Sequence, residues 1–358
     1  MSDDSFLSFL DDPGFLAGFV EVSRPRAHGA GLDLYEYDRV TASLASARDW
    51  LAACAAAGQR YAEAAGRAAA EGRGVTAGEA YRTAARWHHV AGWLPHPDRE
   101  AAARTAADAD EAMRRALEHL DPATERIGGD GFVGWLRRPS GGPAEPRPVV
   151  LVVPGMDSGK EEFHALIEAL LARGSVVLAI DGPGQGVLVA GSAPEPDYHR
   201  VVGRAIDALA GRDGLDLDRI AVVGLSLGGY YAATSAAHEP RVRAAALVSG
   251  PYRLAWEELP PFVHATLVQR CGGADAARAF AARLDVTALV PALTVPVLVV
   301  EGGEDVIPGV TDATTLAAEV PTAELLFVPH GNHLLGTALP DWLPTTADWL
   351  TTCLTAQR

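Results

Sequence analysis

The segment Gly224-Leu225-Ser226-Leu227-Gly228 places one serine between two glycines. The run RIAVVG leading into it predicts a strand, and the run LGGYYAATSAAH leading out of it predicts a helix. In that context the sequence is typical of a nucleophilic serine, because a Cβ at either glycine would collide with the neighbouring strand or helix. The hydroxyl then stands near a helix N-terminus, whose free N–H groups favour a developing negative charge. The alternative is a small residue in an ordinary tight turn.

A nucleophilic serine needs a base and an acid that orients the base, and the segment EGGEDVIPG offers candidates for the acid. Asp305 follows a predicted strand and precedes a turn that contains proline, so a short loop can carry its carboxylate toward a histidine. Glu301 and Glu304 are rivals in the same segment. We favour Asp305, because a loop residue reaches a histidine better than a residue of the strand itself.

The candidate base lies in the segment PHGNH, after the last predicted strand. His333 can reach over the end of the sheet from this loop, and His330 is the competitor. A metal site at these two histidines lacks a third ligand nearby in the sequence. The chain order Ser226, Asp305, His333 is the order of the triad in α/β-hydrolases, and this order favours the nucleophile over the ordinary turn.

Two further loops follow predicted strands. The segment LVVPGMDSGKEEF supplies a turn whose Met156 N–H, together with the Leu227 N–H, is predicted to hold an oxyanion. The segment DGPGQG has neither the Gly-x-Gly-x-x-Gly spacing of a dinucleotide loop nor a Walker lysine, and we interpret it as a structural turn. We therefore expect neither a cofactor nor a metal.

The elements that position these residues fall into two parts. Residues 36–120 show the periodicity of helices, with Asp98 as the predicted N-cap of the last one. After residue 130, short apolar runs alternate with helical segments, which indicates a mostly parallel, doubly wound sheet covered on both faces. We predict a helical N-terminal cap domain at 1–128 and a catalytic domain at 129–358, with a helical insertion at 251–290.

The composition of the chain argues against some classes of binding partner. A net charge of −16 without a basic run argues against nucleic acid and against an anionic membrane surface. The N-terminus predicts no signal peptide, and no apolar run is long enough to span a membrane. Three widely spaced cysteines fit reduced thiols, so we expect a cytoplasmic protein.

Together, the segments PGMDSGKEEF, DGPGQG and GLSLGG, with the acid and histidine loops, resemble a family. It comprises the α/β-hydrolases with a helical N-terminal domain, among them 2,6-dihydroxypseudooxynicotine hydrolase and fungal hydrolases that shorten polyketide pigment precursors. The family often has Gly-Gly-Leu where this chain has Pro154-Gly155-Met156. The resemblance implies an auxiliary acid in the insertion, at Glu257 or its neighbour Glu258, and it allows a homodimer.

The same resemblance implies hydrolysis of a carbon–carbon bond next to a ketone, in a β-dicarbonyl, aryl ketone or polyketide-type substrate. An esterase or thioesterase, or an acyltransferase or cyclase of secondary metabolism, is the alternative on the same fold. A third hypothesis is a non-enzymatic helical binding module fused to a degenerate hydrolase. The intact triad argues against this hypothesis. We expect an apolar or aromatic carbonyl substrate in a cavity between the two domains. Aromatic residues of the helical part are candidates for its lining: Trp50, Tyr61, Tyr81, Trp87 and Trp93.

Overall fold

The computed structural model describes residues 4–141 and 145–356. Helices occupy its N-terminal third, after a 3₁₀ helix at Asp4–Asp11. The five α-helices are α1 (Pro13–Gly29), α2 (Leu34–Thr41), α3 (Trp50–Ala70), α4 (Gly74–Ala91) and α5 (Arg99–Leu120). The predicted cap of α5 is confirmed, because the Asp98 side chain accepts a hydrogen bond from the Ala101 N–H at 2.8 Å.

An eight-stranded sheet forms the centre of the remaining chain. Its strands are β1 (Glu125–Gly129), β2 (Phe132–Arg137), β3 (Arg147–Val153), β4 (Val176–Asp181), β5 (Leu215–Leu225), β6 (Val242–Val248), β8 (Val297–Gly302) and β10 (Ala323–Val328). They lie in the order β1-β2-β4-β3-β5-β6-β8-β10. The pairs β1–β2 and β2–β4 are antiparallel, and every later pair is parallel. The predicted mostly parallel sheet is confirmed.

Helices cover both faces of the sheet. They are α6 (His164–Ala172), α7 (His199–Asp207), α8 (Leu227–His238), α11 (Thr314–Glu319) and α12 (Leu339–Thr355). Strand β3 shows why its sequence is apolar without alternation: Leu151 and Val153 pack in the core on one face, and Val150 and Val152 in the core on the other. Both sides of such a strand are buried, so both sets of alternate residues must be apolar.

The segment predicted as a helical insertion contains α9 (Pro261–Cys271) and α10 (Ala274–Ala281). It begins with a short strand, β7 (Pro251–Leu254), which pairs with β9 (Val310–Asp312) in a separate two-stranded sheet. This pairing holds the insertion against the loop that follows β8. Strand β1 spans residues 128 and 129, where we place the boundary between the two predicted domains. The described residues contain no helix long and apolar enough to cross a membrane.

Candidate active site

Ser226 occupies a strained turn between β5 and α8. Its φ of 55° and ψ of −128° lie in a region that residues with a side chain rarely adopt. The turn is possible because its neighbours lack a Cβ: one added at Gly224 would lie 1.8 Å from the Gly228 carbonyl oxygen, and one at Gly228 would lie 2.3 Å from the Val153 carbonyl oxygen. The serine hydroxyl is thereby presented at the first turn of a 12-residue helix.

The three residues predicted to act together meet at this turn. His333 Nε2 lies 3.0 Å from Ser226 Oγ. On the other side of the ring, Nδ1 lies 2.9 and 3.0 Å from the two carboxylate oxygens of Asp305. The Asp305 side chain is buried, while one third of the His333 side chain is exposed. Asp305 fixes the orientation of the His333 ring, and Nε2 of that ring faces the serine hydroxyl. In this arrangement the histidine can remove the hydroxyl proton.

The rival residues have other surroundings. His330 Nε2 lies 3.0 Å from Asp341 Oδ2 on the surface, where both side chains are more than half exposed. Glu301 is buried at the end of β8 and accepts a hydrogen bond from the Ala313 N–H. Burial, and then the neighbouring carboxylates, raise the pKa of Glu301 well above its usual value, which favours its neutral form. Glu304 lines the same cavity as Ser226 without contacting His333 in a hydrogen bond.

The predicted oxyanion loop passes directly beside the serine. A Cβ added at Gly155 would lie 3.0 Å from Ser226 Cβ, so this close approach favours glycine. Gln185 holds the loop from behind, because its Nε2 donates to the carbonyl oxygens of Pro154 and Gly155 at 2.7 and 3.0 Å. Gln185 belongs to the segment DGPGQG, which has the structural position that we predicted for it. Met156 and Leu227 both line the cavity that contains Ser226.

A mostly buried arginine of α1 connects the helical part to this loop. Arg26 donates two hydrogen bonds to Asp157, at 2.8 and 3.1 Å, and two to Glu162, at 2.6 and 3.0 Å. A fifth reaches Ser158 Oγ at 3.0 Å, and His89 Nε2 of α4 lies 2.8 Å from Glu162. Burial alone would raise the pKa of Glu162, but Arg26 and His89 outweigh it and hold this pKa well below its usual range.

A second buried cluster holds the middle of the same segment. Lys160 Nζ lies 2.7 Å from Asp181, 2.7 Å from Glu161 and 2.9 Å from Asp110 of α5. We did not predict either cluster from the sequence, although the charged residues of the segment DSGKEEF could have indicated them. Buried charges of this kind require partners, and here the partners come from the helical part and from β4.

The cavity that contains Ser226 has a volume of about 510 Å³. Its walls are mostly apolar and come from α1, from the insertion and from the loop after β8; they include Phe19, Val22, Leu254, Phe262, Val263 and Ile307. Asn332, Thr337 and Ser249 add a few polar groups. This combination of apolar walls and few polar groups is typical of a site for a small organic ligand.

The aromatic residues expected in the lining lie elsewhere. Trp50, Trp87 and Trp93 are completely buried in the helical part, and neither they nor Tyr61 and Tyr81 line the cavity. The helices of this part are rich in alanine, and such small side chains alone leave gaps between helices. The large aromatic side chains fill these gaps and make the core dense. The described aromatic residues that do line the cavity are Phe19 of α1 and Phe262 of α9.

The proposed auxiliary acid is also outside the cavity. Glu257 is three-quarters exposed and forms a surface ion pair with Arg278 of α10. Glu258 is exposed as well. Neither glutamate lines the cavity that contains Ser226. The structure therefore brings together Ser226, Asp305 and His333, and it does not bring Glu257 to them.

Comparison with known protein families agrees with this architecture. Residues 148–285 match the family described as alpha/beta hydrolase fold. A crystal structure of the 2,6-dihydroxy-pseudo-oxynicotine hydrolase superposes with a TM-score of 0.82 at 26% identity, covering 93% of this chain and 96% of that chain. The chain therefore has the α/β-hydrolase fold. The structure of AbyA5, with a TM-score of 0.71 and 20% identity over 97% of this chain and all of that chain, shares the fold.

Curated proteins to which this chain is similar carry hydrolase names. The 2,6-dihydropseudooxynicotine hydrolase of Paenarthrobacter nicotinovorans is 33% identical over 188 residues, which is 51% of this chain and 50% of the relative. The alpha/beta hydrolase gkaG of Penicillium citrinum is 30% identical over 276 residues, which is 70% of this chain and 62% of the relative. The chain thus spans between about a half and three fifths of these relatives' lengths.

Proposed function

We propose that this protein is an α/β-hydrolase that uses Ser226, His333 and Asp305 to hydrolyse a carbon–carbon bond next to a ketone. The observation that carries the proposal is the chain of hydrogen bonds from Asp305 through His333 to Ser226 Oγ. Ser226 lines a mostly apolar cavity. The named relative that acts on 2,6-dihydroxypseudooxynicotine supports a ketone substrate. A β-dicarbonyl, aryl ketone or polyketide-type intermediate fits apolar walls of this kind.

The first half-reaction forms an acyl-enzyme. His333 Nε2 takes the proton of Ser226 Oγ as the oxygen attacks the ketone carbon, and Asp305 orients the imidazole ring and stabilises its charge. The backbone N–H groups of Met156 and Leu227 hold the developing oxyanion. The carbon–carbon bond then breaks, and its electron pair leaves as an enolate or an electron-rich aromatic carbon.

The leaving carbon needs a proton, and the sequence left two sources open, His333 and Glu257. The exposed Glu257 lies outside the cavity, so we assign this proton to the His333 Nε2–H formed in the first step. A water molecule, activated by the same histidine, then attacks the acyl-enzyme and releases a carboxylic acid and Ser226. The two products of a β-diketone are therefore a ketone and a carboxylate.

A pair of substrates tests the proposal against the esterase alternative. Benzoylacetone offers the carbon–carbon bond, and its hydrolysis removes the absorbance of the enol; p-nitrophenyl acetate offers an ester. We expect turnover of the diketone, and a loss of about 10⁴-fold or more in Ser226→Ala. Brisk ester hydrolysis with no diketone turnover refutes the carbon–carbon reading and favours the esterase. Transfer to an added alcohol in place of water indicates an acyltransferase.

Glu257→Gln is the matched control for the source of the proton. With His333 as the acid, this variant keeps its turnover of both substrates. A loss confined to the diketone would restore the auxiliary role that we expected for Glu257 from the sequence.

A further inference from the structure

A second cavity lies behind the oxyanion loop, on the side of the helical part. Its volume is about 350 Å³. Its walls include His88 of α4, Arg99 of α5, Asp157 and Glu161 of the loop, and Arg270 of α9. Asp157 also lines the cavity that contains Ser226, so the two cavities meet at this residue.

Arg270 is partly buried and has few hydrogen-bond partners. Its Nε is buried without a hydrogen bond, and Nη2 reaches only the Gly92 carbonyl oxygen, at 3.5 Å. Within residues 4–141 and 145–356, no carboxylate forms an ion pair with it. Arg26, by contrast, donates five hydrogen bonds to its neighbours. A buried guanidinium with unmet donors is costly unless another group supplies acceptors.

The acids around the cavity each form an ion pair with a cation other than Arg270. Asp157 forms an ion pair with Arg26 at 2.8 Å, and Glu161 forms one with Lys160 at 2.7 Å. Glu100 is almost fully exposed and lies near Arg104. Arg99, at the rim, forms no ion pair within the described part of the chain. His88 is buried and its Nδ1 lacks a partner there. Arg99 and Arg270 are therefore cations of this cavity without an ion-pair partner in the described part of the chain, and the Nε of Arg270 is an unmet hydrogen-bond donor.

We propose that the second cavity binds a carboxylate group, held by Arg270 and attracted by Arg99. A guanidinium matches the two oxygens of a carboxylate with parallel hydrogen bonds. This proposal rests on the function proposed above, because that reaction would produce the ligand. Hydrolysis of the acyl-enzyme releases a carboxylate next to Asp157. The same group can instead belong to an acidic substrate whose far end lies in this cavity.

Benzoate and its neutral analogue benzamide test the site directly. We expect benzoate to raise the melting temperature of the protein and benzamide to raise it much less. Arg270→Gln weakens benzoate binding by about tenfold or more, because a charge-assisted pair is lost. Arg270→Lys keeps the charge but not the two parallel hydrogen bonds, so its binding is intermediate. Arg104→Gln is the control, because it removes an exposed charge of α5 that does not line the cavity.

A structural role for Arg270 predicts a different result in the absence of benzoate. If Arg270 mainly supported Gly92, Arg270→Met would lower the melting temperature; a ligand-binding arginine without its ligand predicts no loss or a gain. Equal binding of benzoate and benzamide, or unchanged benzoate binding in Arg270→Gln, overturns the proposal. Benzoate binding does not require turnover, so it persists in Ser226→Ala even if ketone hydrolysis is never observed.

Kinetics distinguish the two sources of the carboxylate. If the released acid binds, Arg270→Gln weakens product inhibition by benzoate. If the substrate carries the group, Arg270→Gln lowers kcat/KM for benzoylacetone with a carboxylate on its ring, relative to the neutral compound.

Discussion

Replacing Arg26 by methionine removes the link between α1 and the oxyanion loop. The change deletes five hydrogen bonds to Asp157, Ser158 and Glu162. Arg26, Asp157 and Glu162 expose 14%, 16% and 3% of their side chains, so little solvent replaces the lost partner. Glu162 keeps His89, whereas Asp157 keeps no ion-pair partner in the described part of the chain.

The expected loss of stability is large. Removing one partner of a buried ion pair costs about 3–5 kcal/mol, against a total of about 5–15 kcal/mol for a typical folded protein. The variant should therefore fold, with a much lower free energy of unfolding. Since Asp157 follows Met156 directly, its repulsion from the neighbouring carboxylates moves the predicted oxyanion donor. Loss of one such donor costs about 10²–10³ in kcat.

Urea unfolding and turnover of p-nitrophenyl acetate measure the two effects. Arg24→Met is the matched control, because Arg24 lies on the same helix and pairs with Asp38 where both side chains are nearly half exposed. Such a pair contributes only about 0–1 kcal/mol. The reasoning is refuted if Arg26→Met and Arg24→Met are equally stable, or if the folded Arg26→Met variant turns over at the wild-type rate.

The remaining predictions concern the assignment of the triad and the effect of acid. His333→Ala should reduce turnover about 10⁴-fold, whereas His330→Ala should keep turnover near wild type, since the His330 side chain pairs with a surface carboxylate. A larger loss of turnover in His330→Ala than in His333→Ala would reverse the histidine assignment. Asp305→Asn should reduce kcat strongly, and Glu301→Gln weakly, because the buried Glu301 already favours its neutral form; equal losses in the two variants would contradict this. Burial, with arginines nearby, lowers the pKa of His164 to about 3. This neutral imidazole contributes stability that is fully present above its ordinary pKa of about 6.5 and is lost as the pH falls from there toward 3. His164→Gln should therefore flatten the decline in the free energy of unfolding between about pH 7.5 and about pH 5, as measured by urea unfolding; an unchanged slope would count against the assignment.

The sequence by itself determined the local features. The strand-to-helix elbow at Ser226, the N-cap at Asp98 and the parallel sheet with both faces buried all depend on neighbouring residues. A turn that excludes a Cβ requires glycine at fixed positions, and a strand buried on both faces requires apolar residues in succession. Chain order then indicated that Asp305 and His333 belong with the serine.

Only the tertiary structure decided which side chains meet across the chain. Arg26 reaches Asp157 and Glu162, 131 and 136 residues away, and local periodicity carries no information about such a contact. The same holds for Phe19, which lines the cavity while the tryptophans of the helical part are buried in its core. Glu257 has the expected position in the chain but faces solvent, because the orientation of a side chain depends on how its segment packs. Packing also leaves the Nε of Arg270 without a hydrogen-bond partner among the described residues, a feature that no spacing of residues predicts.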